Sequence, residues 1–276
     1  MSLLARLIPK GPPAWDADAR ETARAAGVTA SVVLVTWNRL RMLEPCVRGL
    51  MANAGDVDYE LIVWDNASDD GTAEFLDALA GEDPRVRVVH SVENVGLNGV
   101  AAGVSLARGD YIVELDDDVL EFPEEWLSRM IAAFDAVPRA GYLAANVVQD
   151  GITNGAKPPA DAYRARTYRG GVVIEHGPTG GWCAITSRAV VERIGNFIQM
   201  PGRVFFFEDG EFATRCRRRL YRVGIVRDVL VYHACGVTAN AAFDYLEQCR
   251  TKYADDAAFR PMLDDTLAAM EDHPRE

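Results

Sequence analysis

Apolar and polar positions along this chain fall into short runs of β-formers separated by stretches of helical period. Ser31-Val-Val-Leu-Val-Thr36, Leu61-Ile-Val-Trp-Asp65, Val86-Arg-Val-Val-His90 and Tyr111-Ile-Val-Glu-Leu115 are the runs, and each reads as a strand. Between them the pattern predicts a helix to Leu50, another over 73–80, and an Ala-rich one ending at Ala107. Asn38 is a candidate N-cap for the first, and Pro45 predicts that this helix starts late or kinks. Strands alternating with helices indicate βαβ units and a mainly parallel sheet, an α/β class with helices on both faces. Such crossovers bring the strand C-terminal ends to one edge, where open α/β sheets bind ligands.

That edge is where the polar residues collect. Thr36, Asp65 and Asp116 each directly follow an apolar run, and the loop Asn94-Val-Gly96-Leu-Asn98-Gly99 lies just past the remaining strand end. The fourth strand ends in Asp116-Asp117-Asp118, with no Lys or Arg between Arg108 and Arg129 to neutralise it. Adjacent acids at a buried strand end repel one another and resist desolvation, a cost that a divalent cation would relieve. Because side chains alternate along extended backbone, Asp116 and Asp118 point the same way and can address one cation or ligand. A solvated acidic turn is the plain alternative for the same three residues.

Beyond Asp118 the texture changes. Pro123 opens a helix running to Val137, and 141–148 reads as a strand. Residues 149–171 show little periodicity and predict a long loop of the kind that often carries function. Gly177-Pro-Thr-Gly180-Gly181-Trp182-Cys-Ala-Ile-Thr186 is a glycine-flanked strand, followed by a helix from Ser187 to Ile194. Small residues there let a ligand approach the backbone. Glu208-Asp209 forms a second acidic focus, after Phe205-Phe206-Phe207 and at the start of a helix running to Tyr221. Acids at a helix N-terminus complement its dipole. Aromatic walls would instead raise one carboxyl towards the range of a general base. The arginines of that helix read mostly as a solvated face, with one or two open to phosphate or to Glu208. Segments 224–226 and 230–233 read as two strands, the second ended by His233, a position open to a structural or a ligating role. The tail from Ala239 reads as helical and broken near Pro261.

Composition narrows the class. The net charge of -12 excludes broad nucleic-acid binding, which needs a basic footprint. Five scattered cysteines without CxxC spacing predict free thiols, no zinc site and a reducing, cytoplasmic setting. No stretch approaches the roughly 20 apolar residues of a membrane span. The start, 1–13, has a short apolar patch that reads as a frayed terminus or a weak surface anchor, and 14–29 as a helix. GxGxxG is missing after the first strand although Asp65 suits a dinucleotide sheet, and no GxxxxGK[ST] occurs.

Taken in order, Val33-Leu-Val-Thr36-Trp-Asn-Arg39, Val63-Trp-Asp65-Asn-Ala-Ser-Asp-Asp-Gly71-Thr72, Asn94-Val-Gly96, Gly109 to Asp118, Gly180-Gly-Trp-Cys-Ala, Glu208-Asp209 with Arg215, and Val231-Tyr-His233 carry a resemblance. Over about residues 31–235 the chain resembles the family 2 glycosyltransferases with a GT-A fold, the rhamnosyltransferase-like nucleotide-sugar transferases among them. The resemblance implies a nucleotide-sugar-binding subdomain over 31–119 and an acceptor-binding, catalytic subdomain over 120–235, between an N-terminal extension (1–30) and a helical tail (236–276). It implies donor contacts at Thr36, Asn38, Arg39, Asp65, Asn94, Gly96, Asp116 and Asp117, and a Mn2+ or Mg2+ ion at Asp116, Asp118 and His233. Asp209 resembles the catalytic base, with Glu208 as alternative or partner, and Gly180, Gly181 and Trp182 look like the acceptor wall. One departure is that the family often has Arg-Asn shortly after Asn-x-Gly, where this chain has Val100-Ala101. Arg39 or an arginine of 164–169 is a possible substitute.

The expected reaction is metal-dependent transfer of a sugar, with inversion, from a UDP-, dTDP- or GDP-linked donor to a hydroxyl on a glycan or lipid-linked acceptor. A lipid-linked acceptor would draw the enzyme to the inner membrane face. A sugar nucleotidyltransferase would share the sheet and acids, but wants a Gly-rich basic loop after its first strand. A catalytically idle carbohydrate-binding protein would need only one of the acidic foci.

Overall fold

The computed structural model describes residues 27–153 and 155–252 and position 264. The expected apolar start and almost all of the helix over 14–29 lie outside these residues, as does the tail around Pro261. Four parallel strands form one side of the sheet: β1 (Ala30–Thr36), β2 (Tyr59–Asp65), β3 (Val86–His90) and β4 (Tyr111–Asp116). They lie in the order β3-β2-β1-β4. Helices α1 (Leu40–Ala52), α2 (Thr72–Glu82) and α3 (Asn98–Leu106) make the crossovers. All of β2 is buried, as expected for parallel strands covered on both faces.

The sheet continues past β4 into mixed pairing, a GT-A arrangement. The short β5 (Val119–Glu121), helix α4 (Trp126–Ala136) and β6 (Ala140–Val147) come next. They are followed by β7 (Arg164–Thr167), β8 (Val173–His176) and β9 (Cys183–Ser187). Then come α5 (Arg188–Ile194), α6 (Glu208–Arg218), β10 (Arg222–His233), α7 (Val237–Ala242) and α8 (Leu246–Lys252). The order runs on from β4 as β9-β6-β10-β8-β7, with β5 antiparallel to β10. β9 is antiparallel to β4 and β6, and β6 is parallel to β10. The start of β9 and the ends of β4, β6 and β10 therefore share the edge formed by the ends of β1–β3.

Several local expectations are corrected. Asn38 does not cap α1: it exchanges side-chain and backbone bonds with Asp69 at 2.8 and 2.7 Å. The first donors of α1 go to distant groups, Leu40 N to Asp70 Oδ2 at 3.0 Å and Arg41 N to Tyr245 Oη at 2.8 Å. With those donors met, the helix starts at Leu40 and carries Pro45 inside it. Helix α4 begins at Trp126 rather than Pro123, because Glu125 takes a left-handed φ of 58°. Segments 224–226 and 230–233 are one strand, with an irregular register between Val226 and Leu230. The 149–171 stretch is not structureless: it contributes β7, which pairs with β8. β9 starts only at Cys183, after the glycines.

Candidate active site

The three aspartates after Leu115 divide as strand alternation requires. Asp117 accepts from Thr36 Oγ1 at 2.8 Å and from Arg39 Nη1 at 2.7 Å. Asp116 and Asp118 face His233 Nε2 at 3.4 and 3.1 Å. Arg39 also donates to Asp118 Oδ2 and to Asn240 Oδ1, each at 3.0 Å. The neutralising cation missing near these acids in sequence is thus Arg39, brought in from the loop after β1. Burial opposes its charge, but Asp117 and Asp118 raise the guanidinium pKa above its ordinary value. Burial likewise opposes ionisation of Asp118, yet Arg39 and His233 hold its carboxyl well below the usual range. Burial dominates at Asp117, which is pushed up to about 6 despite Arg39.

The donor set fits a divalent cation. Ligand atoms of Asp116, Asp118 and His233 all lie within 4.8 Å of one another. His233 Nδ1 is 3.0 Å from the Gly155 carbonyl, so that ring nitrogen carries the hydrogen and Nε2 is presented to the aspartates. Asp118 Oδ1 is buried, with that imidazole nitrogen 3.1 Å away. Two carboxylates and one imidazole suit Mn2+, and the oxygens suit Mg2+. Thr153 and Gly155 therefore acquire a role that composition does not announce. Thr153 Oγ1 donates to the His233 carbonyl at 2.7 Å while Gly155 holds the ring.

The second acidic focus lies beside the first. Asp209 Oδ2 accepts from Gly181 N at 2.9 Å, and its other oxygen accepts from Gly210 N. Burial raises the Asp209 carboxyl pKa, and nearby Asp116 adds to the rise. Glu208 is 5% exposed, its Oε2 has no hydrogen-bond partner, and burial followed by Asp209 raises its pKa. Of the three aromatics ahead of the pair, Phe206 is buried and Phe207 is exposed, so they form no continuous wall. Arg215 does not pair with Glu208: it binds Glu211 and the carbonyls of Ile194, Gly195 and Asn196.

Glu114 joins this cluster and was not singled out from the sequence. It lies on β4 two residues before Asp116, accepts from Tyr142 Oη, and has its pKa raised by burial and then by Glu208 and Asp209. Its alternation with Asp116 and Asp118 on one strand face was the available signal. Gly181 touches both carboxylates, since a Cβ there would lie 2.8 Å from the Glu114 carboxyl carbon while its N–H holds Asp209. Gly180 is equally hemmed in by Trp182 and Asp209. Trp182 is 4% exposed and stacks on His233 with ring centroids 5.8 Å apart, so its ring braces the imidazole.

The other expected donor contacts hold the edge together. Asp65 Oδ2 is 2.9 Å from His90 Nδ1, and its Oδ1 accepts from Ser68 N at 3.1 Å. Asn94 Oδ1 accepts from Gly96 N at 2.8 Å. Gly96 has a φ of 58° and packs against the Val204 backbone, where a Cβ would come within 1.9 Å. Asn98, also unpredicted, binds the carbonyls of Met200 and Arg203 and so ties that segment over the loop.

Comparison with known proteins identifies the class to which this sheet and its acid-lined edge belong. The chain belongs to glycosyl transferase family 2, whose profile matches residues 31–195. Glycosyltransferase AglD of Haloferax volcanii is 33% identical over 157 residues, 54% of this chain and 24% of its own length. Undecaprenyl-phosphate mannosyltransferase of Micrococcus luteus is 37% identical over 105 residues, 37% of this chain and 42% of its own. The chain thus spans less than half the length of these two relatives. In structure it is similar to mannosyltransferase PcManGT of Pyrobaculum calidifontis, in complex with GDP-Man and Mn2+. That match has a TM-score of 0.58 at 17% identity and covers 99% of this chain and 81% of the other. It is also similar to S. aureus TarS 1-349 in complex with UDP-GlcNAc, with a TM-score of 0.56 at 16% identity, covering 82% of this chain and 66% of the other. These likenesses establish the GT-A fold. Among the described residues no helix is long and apolar enough to cross a membrane.

Proposed function

We propose that this protein is a metal-dependent, inverting hexosyltransferase that moves a sugar from a nucleoside-diphosphate donor to an acceptor hydroxyl in glycan or glycolipid synthesis. The observation that carries the reading is the meeting of two acidic foci on one sheet edge. Asp116, Asp118 and His233 offer ligand atoms within 4.8 Å, and Asp209 is near enough to Asp116 to be raised by it. Asp116, Asp118 and His233 would hold a Mn2+ or Mg2+ ion, which when bound offsets charge on the departing diphosphate. Asp209 takes the acceptor proton as the hydroxyl oxygen attacks the anomeric carbon on the face opposite the diphosphate. That single displacement inverts the centre. Glu208, more deeply buried, keeps its proton and spares Asp209 a second neighbouring charge.

In this reading residues 31–119 bind the donor through Asn38, Asn94 and Asp116, with the buried Thr36, Asp65 and Gly96 shaping the edge beneath them, while 120–235 receive the acceptor. Arg39 and Asp117 act mainly by fixing Asp118, since the Arg39 side chain is only 12% exposed. Gly180 and Gly181 let Trp182, Glu114 and Asp209 pack closely on the acceptor side, and Trp182 orients His233. The name of the Micrococcus relative makes a polyprenyl phosphate one acceptor class to try. Such an acceptor implies a cytoplasmic enzyme working at the inner membrane face.

A thermal-shift screen of UDP-, dTDP- and GDP-sugars with Mn2+ identifies the donor by linkage stabilisation. Product analysis with the best donor then tests the reaction. Release of nucleoside diphosphate, with the sugar on water or acceptor, is the expected result. Sugar 1-phosphate with nucleoside triphosphate would mean a nucleotidyltransferase. Binding without turnover for every acceptor class would mean an idle carbohydrate-binding protein.

A further inference from the structure

Away from the catalytic edge, a cavity of about 320 Å³ is lined by Arg139, Arg193, Arg218, Arg219, Leu220 and Tyr221. It lies at the opposite edge of the sheet. Arg139 leads into β6 and Tyr221 into β10, and both strands run from there towards Val147 and His233. Helix α6 spans 11 residues, so about 16 Å of axial rise separates its catalytic start from its arginine-rich end. The cavity is therefore no part of the donor, metal or acceptor site.

Four guanidinium groups around one concavity, with no carboxylate lining it, are unusual in a chain of net charge -12. The plain explanation is that cations at the end of α6 complement its dipole. That covers Arg218 and Arg219, but not Arg139 before β6 or Arg193 on α5. Three separate elements bring like charges together, and none of the four arginines takes part in the ion pairs among the described residues. Arg139 is also set in place: Nε donates to the Leu220 carbonyl at 3.0 Å and Nη2 to the Arg219 carbonyl at 2.7 Å. Its plane is backed by Tyr221, 5.1 Å from the ring centroid. Arg139 and Leu220 both hold left-handed φ, 57° and 61°, a conformation that non-glycine residues adopt at a cost.

We propose that this cavity binds a phosphate group, with Arg139 as the fixed donor and Arg193, Arg218 and Arg219 closing around the oxygens. Planar guanidinium forks match phosphate geometry, and an ordered first arginine lowers the cost of assembling the rest. The phosphate comes either from a soluble phosphate ester or from the headgroup of an anionic lipid. Leu220, 78% exposed on the rim, is placed to enter a lipid surface in the second case.

The test uses the full chain and its variant Arg218→Gln/Arg219→Gln, both positions being exposed. Arg48→Gln/Arg250→Gln serves as a charge-matched control. One arm titrates inorganic phosphate by calorimetry against chloride at equal ionic strength. The other sediments the protein with phosphatidylglycerol–phosphatidylcholine vesicles and with phosphatidylcholine alone. Saturable binding in at least one arm is expected, weakened about tenfold or more in Arg218→Gln/Arg219→Gln and unchanged in the control. Vesicle binding that inorganic phosphate displaces assigns the headgroup, and phosphate binding without vesicle binding assigns a soluble ester. No binding in either arm, or equal loss in the control, overturns the proposal.

Discussion

Replacing Asp209 by Asn removes the proposed base while keeping the side chain's shape. The wild-type carboxylate accepts from Gly181 N and Gly210 N through different oxygens. An amide can accept only one of these bonds, so stability falls by about 1–3 kcal/mol, within what a folded domain tolerates. Loss of a general base costs roughly 10²–10⁴ in rate, equivalent to about 3–5 kcal/mol of barrier. The catalytic loss is thus the larger effect and is separable from the structural one. Donor affinity should stay near wild type, because Asp209 is not among the residues of the proposed cation site. The assay is steady-state transfer with the best donor, beside calorimetric nucleotide affinity and a urea titration. Turnover close to wild type in a folded Asp209→Asn protein would refute the base assignment.

Three further predictions follow from the same geometry. Because burial and Asp116 raise the Asp209 carboxyl pKa, the active ionised form is lost on acidification sooner than for an ordinary carboxylate. The acid limb of kcat/KM should sit above the ordinary aspartate value of about 3.9, and a midpoint at or below it would contradict the assignment. Glu208 also has a raised folded pKa, so its contribution to stability is present below its unfolded pKa and is lost as pH rises through the folded one. Glu208→Gln should therefore remove part of the fall in urea midpoint between acid and alkaline pH, and an unchanged slope would count against it. In Gly181→Ala the new methyl meets the Glu114 carboxyl and pushes the Gly181 N–H off Asp209. Its kcat should fall with little change in donor affinity; an unchanged kcat would show that this bond does not position the base.

The parts of this picture that the sequence disclosed are those encoded locally. β1 to β4 are contiguous apolar runs, and each ends at a polar residue, Thr36 and Asp65 still being buried there. Asp116 and Asp118 meet as their two-residue spacing suggested, although Asp118 lies in the turn after β4, which is why the cation pair was visible. The missed features depend on contacts between distant residues. Arg39 reaches Asp117 and Asp118 across 78 and 79 positions, so nothing near the aspartates marks it as their counter-charge. Tyr245 satisfies the start of α1, a task that local reading gave to Asn38. Glu114 was hidden by its apolar neighbours, which made the run read as ordinary strand. Thr153 and Gly155 carry no periodic signal although they hold His233, because periodicity reports burial rather than ligation.

The claim on which the rest depends is that Asp116, Asp118 and His233 hold the cation that carries the donor diphosphate. Calorimetric titration of the donor's nucleoside diphosphate, with and without Mn2+, into wild type and Asp118→Ala tests it most directly. The account predicts that Mn2+ tightens binding about tenfold or more in wild type, in proportion to losing a charge-assisted contact, and has no effect in Asp118→Ala. Equal nucleotide affinity with and without Mn2+ in wild type, or the same Mn2+ effect in both proteins, would contradict it.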